Sequence, residues 1–387
     1  MNNWFKNLRL KKFFITRSLG YTKDFTDILY KVYLNHNKII HYRKGYPVYS
    51  LFTPALFSKP SANFIARMIY GNIQNRNLPN MMTYAVTDIC DATCKHCSFF
   101  EAIEDKSKKV LELSEGIDLI KQAQDLGVSL INFTGGEPLL KKDLPALIKS
   151  VDKNLSAVNI FTNGSLLKEK VKELKDAGLD GVYISIDFAD PIKHDLFRKK
   201  EGLFEKAFEG IQLAKKLGLT TGISCTLTPE SYMDGEMEKI IELAKKTGVH
   251  EVLLFDALPS GRFKGREDLV DNFDWVEEMI AKCEKYNKDS SYPGVVAVGY
   301  VLSHKSTGCS CGTSYFYASP YGDIRSCDFN NCIYGSIREK PLYKIWNHLT
   351  NKKEFSSSKW GGCKVKDSEF LKIMNETAPS INTCGCN

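Results

Sequence analysis

Between residues 82 and 255 the chain repeats one rhythm six times: a short β-branched or apolar run, usually followed by an amphipathic stretch of helical length. The strand candidates are Thr83–Thr87, Ser129–Phe133, Ala157–Phe161, Gly181–Asp187, Thr221–Thr226 and Glu251–Phe255. Helical periodicity falls near 113–126, 142–153, 166–177, 203–217 and 234–247. Parallel strands need long crossovers, and a helix supplies each one, so this alternation predicts a parallel sheet with helices outside. Right-handed crossovers curl six such units into a partial (β/α)6 barrel. Chemistry in such sheets sits at the carboxyl ends of the strands. A helix near 269–287 and a strand over Val295–Val301 follow.

A chain of 387 residues has room for two or three domains. Residues 1–79 form a basic, aromatic-rich region, 80–290 the βα core, and 291–387 a cysteine-rich, loop-like region. No run reaches the ~18 apolar residues that span a bilayer. Lys6, Arg9, Lys11 and Lys12 interrupt the start before a secretory apolar core can form. The expected location is the cytosol. The first 80 residues hold 13 Lys/Arg against Asp24 and Asp27, a net +11, whereas the remainder is −4. They also hold 15 of the 44 aromatic residues. Phe25, Ile28, Leu29, Val32 and Tyr33 keep one helical face, Phe64 to Ile73 another, and Gly45-Tyr46-Pro47 separates them. This reads as an N-terminal helical layer packed on the body, with peripheral contact to the inner membrane face as the competing reading. Basic residues with aromatics also bind nucleic acid. Nothing else supports that partner, and none is expected.

The twelve cysteines are clustered rather than scattered. Three stand at 90, 94 and 97, and seven between 309 and 386. In a reducing compartment such clustering points to metal. Cys90, Cys94 and Cys97 share one short loop after the first strand, and three thiolates there can hold three irons of a cubane cluster. The rival is zinc, but no fourth cysteine fits easily and His96 lies too close between two thiols to chelate comfortably. After the second strand stand Gly135-Gly136-Glu137-Pro138, two glycines for a tight turn and a carboxylate able to accept from an ammonium. The third strand ends in Thr162-Asn163-Gly164 and the fourth in Ser185-Ile186-Asp187. Alternation would put Ser185 and Asp187 on one face. Cys225 and Cys283 fall in a strand and a helix candidate and read as small core residues.

CxxxCxxC after the first strand of a βα series, with GGE ~40 residues later, resembles the radical S-adenosylmethionine superfamily over roughly residues 80–260. The resemblance implies a [4Fe–4S] cluster on Cys90, Cys94 and Cys97 whose open iron chelates S-adenosylmethionine. One electron, from a donor such as flavodoxin or ferredoxin, cleaves the sulfonium to a 5′-deoxyadenosyl radical that abstracts hydrogen from substrate. It further implies that His96 sits near adenine, and that Gly135, Gly136 and Glu137 bind the methionine amino group. Ser185 and Asp187 would meet ribose hydroxyls, and Arg198 the methionine carboxylate. His194 and Asp195 read as a structural turn.

In the C-terminal region Cys309-x-Cys311, an aromatic strand Tyr315-Phe316-Tyr317, a Gly322-Asp323 turn back to Cys327, and a short helix from Pro341 resemble the SPASM/twitch auxiliary-cluster subgroup. That resemblance implies at least one auxiliary iron–sulfur cluster on Cys309, Cys311 and Cys327, with Cys363 as fourth ligand. Seven cysteines are one short of two fully thiolate-ligated clusters. A second cluster with another kind of ligand is the alternative. The expected function is radical modification of an unactivated C–H position in a peptide or protein. Lipid or isoprenoid modification at the membrane, and a non-catalytic cluster scaffold, are the alternatives.

Overall fold

The computed structural model describes residues 38–99, 107–302, 306, 308–351 and 363–377. Its centre is one ten-stranded sheet. Six strands run in chain order: β3 (Met81–Ala85), β4 (Leu130–Thr134), β5 (Ala157–Thr162), β6 (Gly181–Ser185), β7 (Thr220–Leu227) and β8 (Glu251–Asp256). Every neighbouring pair among them is parallel and in simple succession. Each crossover carries helix, as the periodicity requires: α2 (Leu113–Asp125), α3 (Leu144–Ser150), α4 (Leu167–Asp176), α5 and α6 (Pro191–Arg198, Leu203–Lys216), and α7 and α8 (Pro229–Met233, Glu236–Thr247). Their apolar faces bury Leu119, Leu147, Val171, Ile211 and Ile240 against the sheet. The sheet is open, and its two edge strands, Gly294–Ala297 and Ile333–Ser336, do not pair with each other.

Several expectations need correction. The run Val295–Val301 is strand only over β9 (Gly294–Ala297), and Val298–Val301 forms one helical turn, α10. Gly299 permits that turn, because a Cβ there would stand 2.7 Å from Val276. β9 pairs in parallel with β8 after helix α9 (Asp274–Lys288), so it continues the core sheet rather than opening the C-terminal region. That region also joins the sheet: β10 (Tyr315–Ala318) lies parallel to β3, and β11 (Asp323–Arg325) and β12 (Ile333–Ser336) follow antiparallel. β6 stops at Ser185, so Asp187 lies beyond the strand and the alternation argument does not reach it.

The N-terminal region is not all helix. Helix α1 (Lys59–Gln74) matches the pattern of Phe64 to Ile73, but Gly45-Tyr46-Pro47 belongs to a hairpin of β1 (His41–Arg43) and β2 (Tyr46–Val48). Lys44 and Gly45 both take positive φ (50° and 82°), the geometry of the tight turn that matches strand twist. A lysine there carries no sequence signal of it. The face from Phe25 to Tyr33 lies outside the described residues.

This region closes the amino end of the sheet. His41 meets Thr220 at 3.0 Å, Arg43 pairs with Asp180 at 3.5 Å, and Asn63 donates to Leu155 O at 3.4 Å. Leu51 is buried among Tyr183, Leu253 and Val296. Its amide donates to Glu251 Oε2 (3.0 Å), and its carbonyl accepts from Asn159 Nδ2 (2.7 Å). Residues 48–55 are therefore part of the core. Among the described residues no helix is long and apolar enough to cross a membrane.

Candidate active site

The loop after β3 carries the first cysteine group. Cys94 is buried, and Cys90 and Cys97 are half-buried. Burial pushes the Cys90 thiol up to about 12 and raises Cys94 and Cys97 as well. The loop is held from four sides. Gly136 N donates to Thr87 O and Glu137 N to Ile89 O, each at 2.8 Å. A Cβ on Gly136 would stand 2.1 Å from Ile89 O, so only glycine admits this approach. Lys95 N reaches Phe197 O at 3.0 Å. Arg262 donates its amide to Cys97 O (3.0 Å) and its guanidinium to Thr93 O (2.6 Å) and Cys94 O (3.2 Å). Gly261 is at φ +57°, and a Cβ there would meet Cys97 O at 2.1 Å. Pro259-Ser-Gly-Arg262 is thus a clamp on the cysteine loop, a role its sequence does not announce. Asp91 anchors the same loop by accepting from Asn163 Nδ2 (2.8 Å) and Ser165 Oγ (2.7 Å) and by pairing with Lys200. Burial alone would raise its pKa, and these three partners outweigh it and hold the carboxyl below its usual range.

Glu137 is buried at the end of β4. Its Oε1 accepts from Leu139 N (3.1 Å) and Thr162 Oγ1 (2.6 Å), and its Oε2 from Asn163 N (2.8 Å). Each carboxylate oxygen has two lone-pair sites, so Oε2 keeps one for a further donor. Burial raises this carboxyl to about 7 against those hydrogen bonds. Glu137 therefore joins the ends of β4 and β5 besides facing the cavity.

Ser185 and Arg198 face the cavity, and Asp187 does not line it. Asp187 is fully buried, and its carboxylate accepts from Arg198 Nε (2.7 Å) and Thr226 N (3.0 Å). Burial works to raise Asp187, but Arg198 holds it below the usual carboxylate range. Arg198 also points a guanidinium nitrogen at Cys94 Sγ, 3.8 Å away. His96 stacks on Phe197 with ring centroids 4.8 Å apart, and its Nδ1 is buried without a hydrogen-bond partner. Burial lowers this imidazole to about 4, so it is neutral near pH 7. His194 Nδ1 accepts from Asp187 N (3.2 Å), and Asp195 accepts from Gly202 N (2.6 Å) and Phe204 N (2.9 Å). Both make structural contacts, but they stand on helix α5 rather than in the expected turn.

The second cysteine group lies beside β10 and β11. Cys311 hydrogen-bonds Cys309 and Cys327, and Cys363 interacts electrostatically with Cys309 and Cys327. The hydrogen bond from Cys311 lowers Cys309 to about 7. Cys363 packs with Leu258 and Val365. Its segment is fixed by a buried ion pair, Lys366 Nζ to Asp256 Oδ2 at 2.8 Å. Cys225 and Cys283 are buried in β7 and α9, with no part in either group.

Both groups border one solvent-open cavity of about 430 Å³. Cys90, Cys94 and Cys97 line it, and so do Cys311, Cys327 and Cys363. Phe52, Phe161 and Phe255 add aromatic surface, while Thr83, Asn132 and Asp328 add polar groups. Tyr315 donates to Asp328, whose carboxyl burial raises to about 6.

Comparison with known proteins agrees with this architecture. Residues 84–244 match the family described as the Radical SAM superfamily. The AdoMet-dependent heme synthase of Nitratidesulfovibrio vulgaris is 26% identical over 317 residues, covering 76% of this chain and 85% of that protein. The GTP 3′,8-cyclase of Alkaliphilus oremlandii is 30% identical over 246 residues, 60% of this chain and 76% of that protein. In fold, the chain is similar to Streptococcus suis SuiB bound to precursor peptide SuiA (TM-score 0.60, 16% identity, 79% of this chain and 76% of that one). It is also similar to anSMEcpe with bound AdoMet and Cp18Cys peptide (TM-score 0.55, 18% identity, 77% and 95%). The chain belongs to the radical SAM superfamily and is a radical SAM enzyme, with a [4Fe–4S] cluster and S-adenosylmethionine as its cofactors.

Proposed function

We propose that the protein modifies an unactivated C–H position of a peptide or protein held between two iron–sulfur sites. The observation that carries this reading is the single cavity bordered by both thiol groups. Cys90, Cys94 and Cys97 would hold the cofactor-binding cluster. With S-adenosylmethionine bound, that cluster supplies a primary carbon radical able to take hydrogen from substrate.

The chain's own groups fit the cofactor. Glu137 Oε2 has one acceptor site left for an ammonium, and Ser185 offers a hydroxyl to the ribose. Arg198, fixed by Asp187, presents positive charge beside Cys94. His96, held by stacking on Phe197, lines the cavity and offers ring surface to a base. Cys309, Cys311, Cys327 and Cys363 form a donor set suited to an auxiliary cluster. The peptide-bound solved structures of the same fold support a peptide substrate. The aromatic and polar lining suits a side chain together with its backbone. The electron comes from a flavodoxin or ferredoxin in the cytosol.

The test uses deuterated peptides encoded beside the gene, incubated anaerobically with the reduced enzyme and S-adenosylmethionine. Deuterium in 5′-deoxyadenosine and a mass change in the peptide are expected. Cleavage that no such peptide stimulates, with no label transfer, would reject the peptide reading while leaving the enzyme class intact.

A further inference from the structure

Residues 38–80 contain six Lys/Arg and no carboxylate. They also carry seven of the thirteen large apolar side chains that the described residues expose: Ile39, Tyr42, Tyr46, Phe57, Ile69, Tyr70 and Ile73. On α1 the exposed positions Ala62, Ala66, Ile69, Tyr70 and Ile73 recur at helical spacing, so one helix face is open and apolar apart from Lys59 at its start. The opposite face is engaged, with Phe64 buried, Asn63 bonded to Leu155 O and Arg67 to Leu126 O. Phe57 is 74% exposed and takes φ +70°. A bulky side chain in the left-handed region is strained, and here the strain holds an aromatic ring in solvent.

The location matters as much as the composition. Most polar anchors of this region fall at the amino ends of strands: Leu126 before β4, Leu155 before β5, Asp180 before β6, Thr220 on β7, Glu251 on β8. Leu51 reaches further in, to Asn159 within β5. Lys38 closes the row, donating to the carbonyls of Tyr286, Asp289, Tyr292 and Pro293 ahead of β9. The cysteine loop follows the carboxyl end of β3, and the cavity it borders extends inward as far as Met81 and the half-buried Phe52 of this region.

We infer that residues 38–76 are an interfacial surface for an anionic lipid bilayer, and that the enzyme docks by the amino end of its sheet with the cavity mouth turned away. Charge complementarity selects the occupant: exposed Lys44, Lys59 and Arg76 meet acidic headgroups, with no carboxylate in the segment to oppose them. Tyr42, Tyr46, Phe57 and Ile73 insert at headgroup depth, where aromatic and apolar side chains beside bases bind. In this orientation the membrane is a tether and the substrate arrives from water. This surface is independent of what the substrate is.

The experiment is flotation of the reconstituted full chain with phosphatidylcholine vesicles, with and without phosphatidylglycerol. Two variants accompany it, Phe57→Ser/Ile73→Ser and Lys44→Glu/Lys59→Glu/Arg76→Glu, each checked for unchanged S-adenosylmethionine cleavage. Wild type should float only with anionic vesicles and release in high salt, and each variant should lose about tenfold or more in partition. Phe57→Trp should shift its emission to the blue on the same vesicles, a readout that survives if a multiple variant misfolds. The inference is overturned if wild type does not float, or if both folded variants float as well as wild type, which would place binding in residues 1–37. It is also overturned if these substitutions instead abolish a concentration-dependent dimer, which would make the face a contact between two copies.

Discussion

Lys366→Met should uncouple the second cysteine group from the sheet. Lys366 and Asp256 have side chains only 1% and 6% exposed, and their 2.8 Å contact is backed by Asn272 O at 3.3 Å. The ammonium also lies 5.2 Å and 5.5 Å from the ring centroids of Trp275 and Phe273. Removing the cation leaves Asp256 buried and unpaired, which costs about 3–5 kcal/mol. For a unit of this size that lowers Tm by roughly 4–8 °C. The loss is directional, because Lys366 stands three residues from Cys363 and Asp256 ends β8. The variant should keep iron on Cys90, Cys94 and Cys97 but lose it from the second group. Replacing both partners, Asp256→Leu with Lys366→Met, removes the orphaned charge and should recover more than half of the lost stability. Thermal unfolding of anaerobic protein, with iron analysis of each variant, reads all of this. A single variant within about 1 kcal/mol of wild type, or a double variant no better than the single, would refute the reasoning.

Gly136→Ala should cut cluster retention and S-adenosylmethionine affinity by about tenfold or more, measured by iron content and equilibrium dialysis, because its Cβ would displace Ile89 O and Cys90 N. Arg338 holds Glu115 in a two-point contact at 2.7 and 2.8 Å, and this bond keeps the Glu115 carboxyl down at about 2. A depressed acid stabilises the fold above its unfolded value near 4.5 and loses that contribution as pH falls through about 2. Wild type should thus lose stability relative to Arg338→Ala on going from pH 5 toward pH 2, by at most about 1 kcal/mol for so exposed a pair. A constant difference in melting temperature across that range would contradict this. Thr228→Ala should cost about 1 kcal/mol in thermal melts, since Thr228 Oγ1 caps α7 by accepting from Ser231 N at 3.2 Å.

The parts of the fold that the sequence announced are those governed by period. The runs starting near Ala157 and Glu251 are apolar on both faces, and they became β5 and β8 almost to the residue. Cysteine spacing and GGE marked the loop and the turn because thiol ligation and a close backbone approach leave few alternative residues. Long-range pairing was invisible. Nothing near Tyr315 tells that β10 lies against β3, and nothing near Val295 that β9 extends the core sheet. Asp187 illustrates a second limit. Its two-residue spacing from Ser185 had meaning only inside a strand, and β6 ends first, turning the carboxylate toward Arg198. Lys366 had no local signal at all, and the Pro259-Ser-Gly-Arg262 motif gave none of Arg262's role, since each acts on a segment far away in sequence. Asp91 was the one overlooked anchor with a local cue, lying inside the cysteine loop itself.

The central claim is that Cys90, Cys94 and Cys97 hold the cluster that activates S-adenosylmethionine, apart from the thiols at 309, 311, 327 and 363. The most direct measurement is 5′-deoxyadenosine formation, with iron content, by anaerobically reduced wild type and a Cys90→Ala/Cys94→Ala/Cys97→Ala variant. Wild type should form 5′-deoxyadenosine, and the variant should form none while retaining iron that is lost when the second group is also replaced. Undiminished 5′-deoxyadenosine formation by the folded variant would contradict the account.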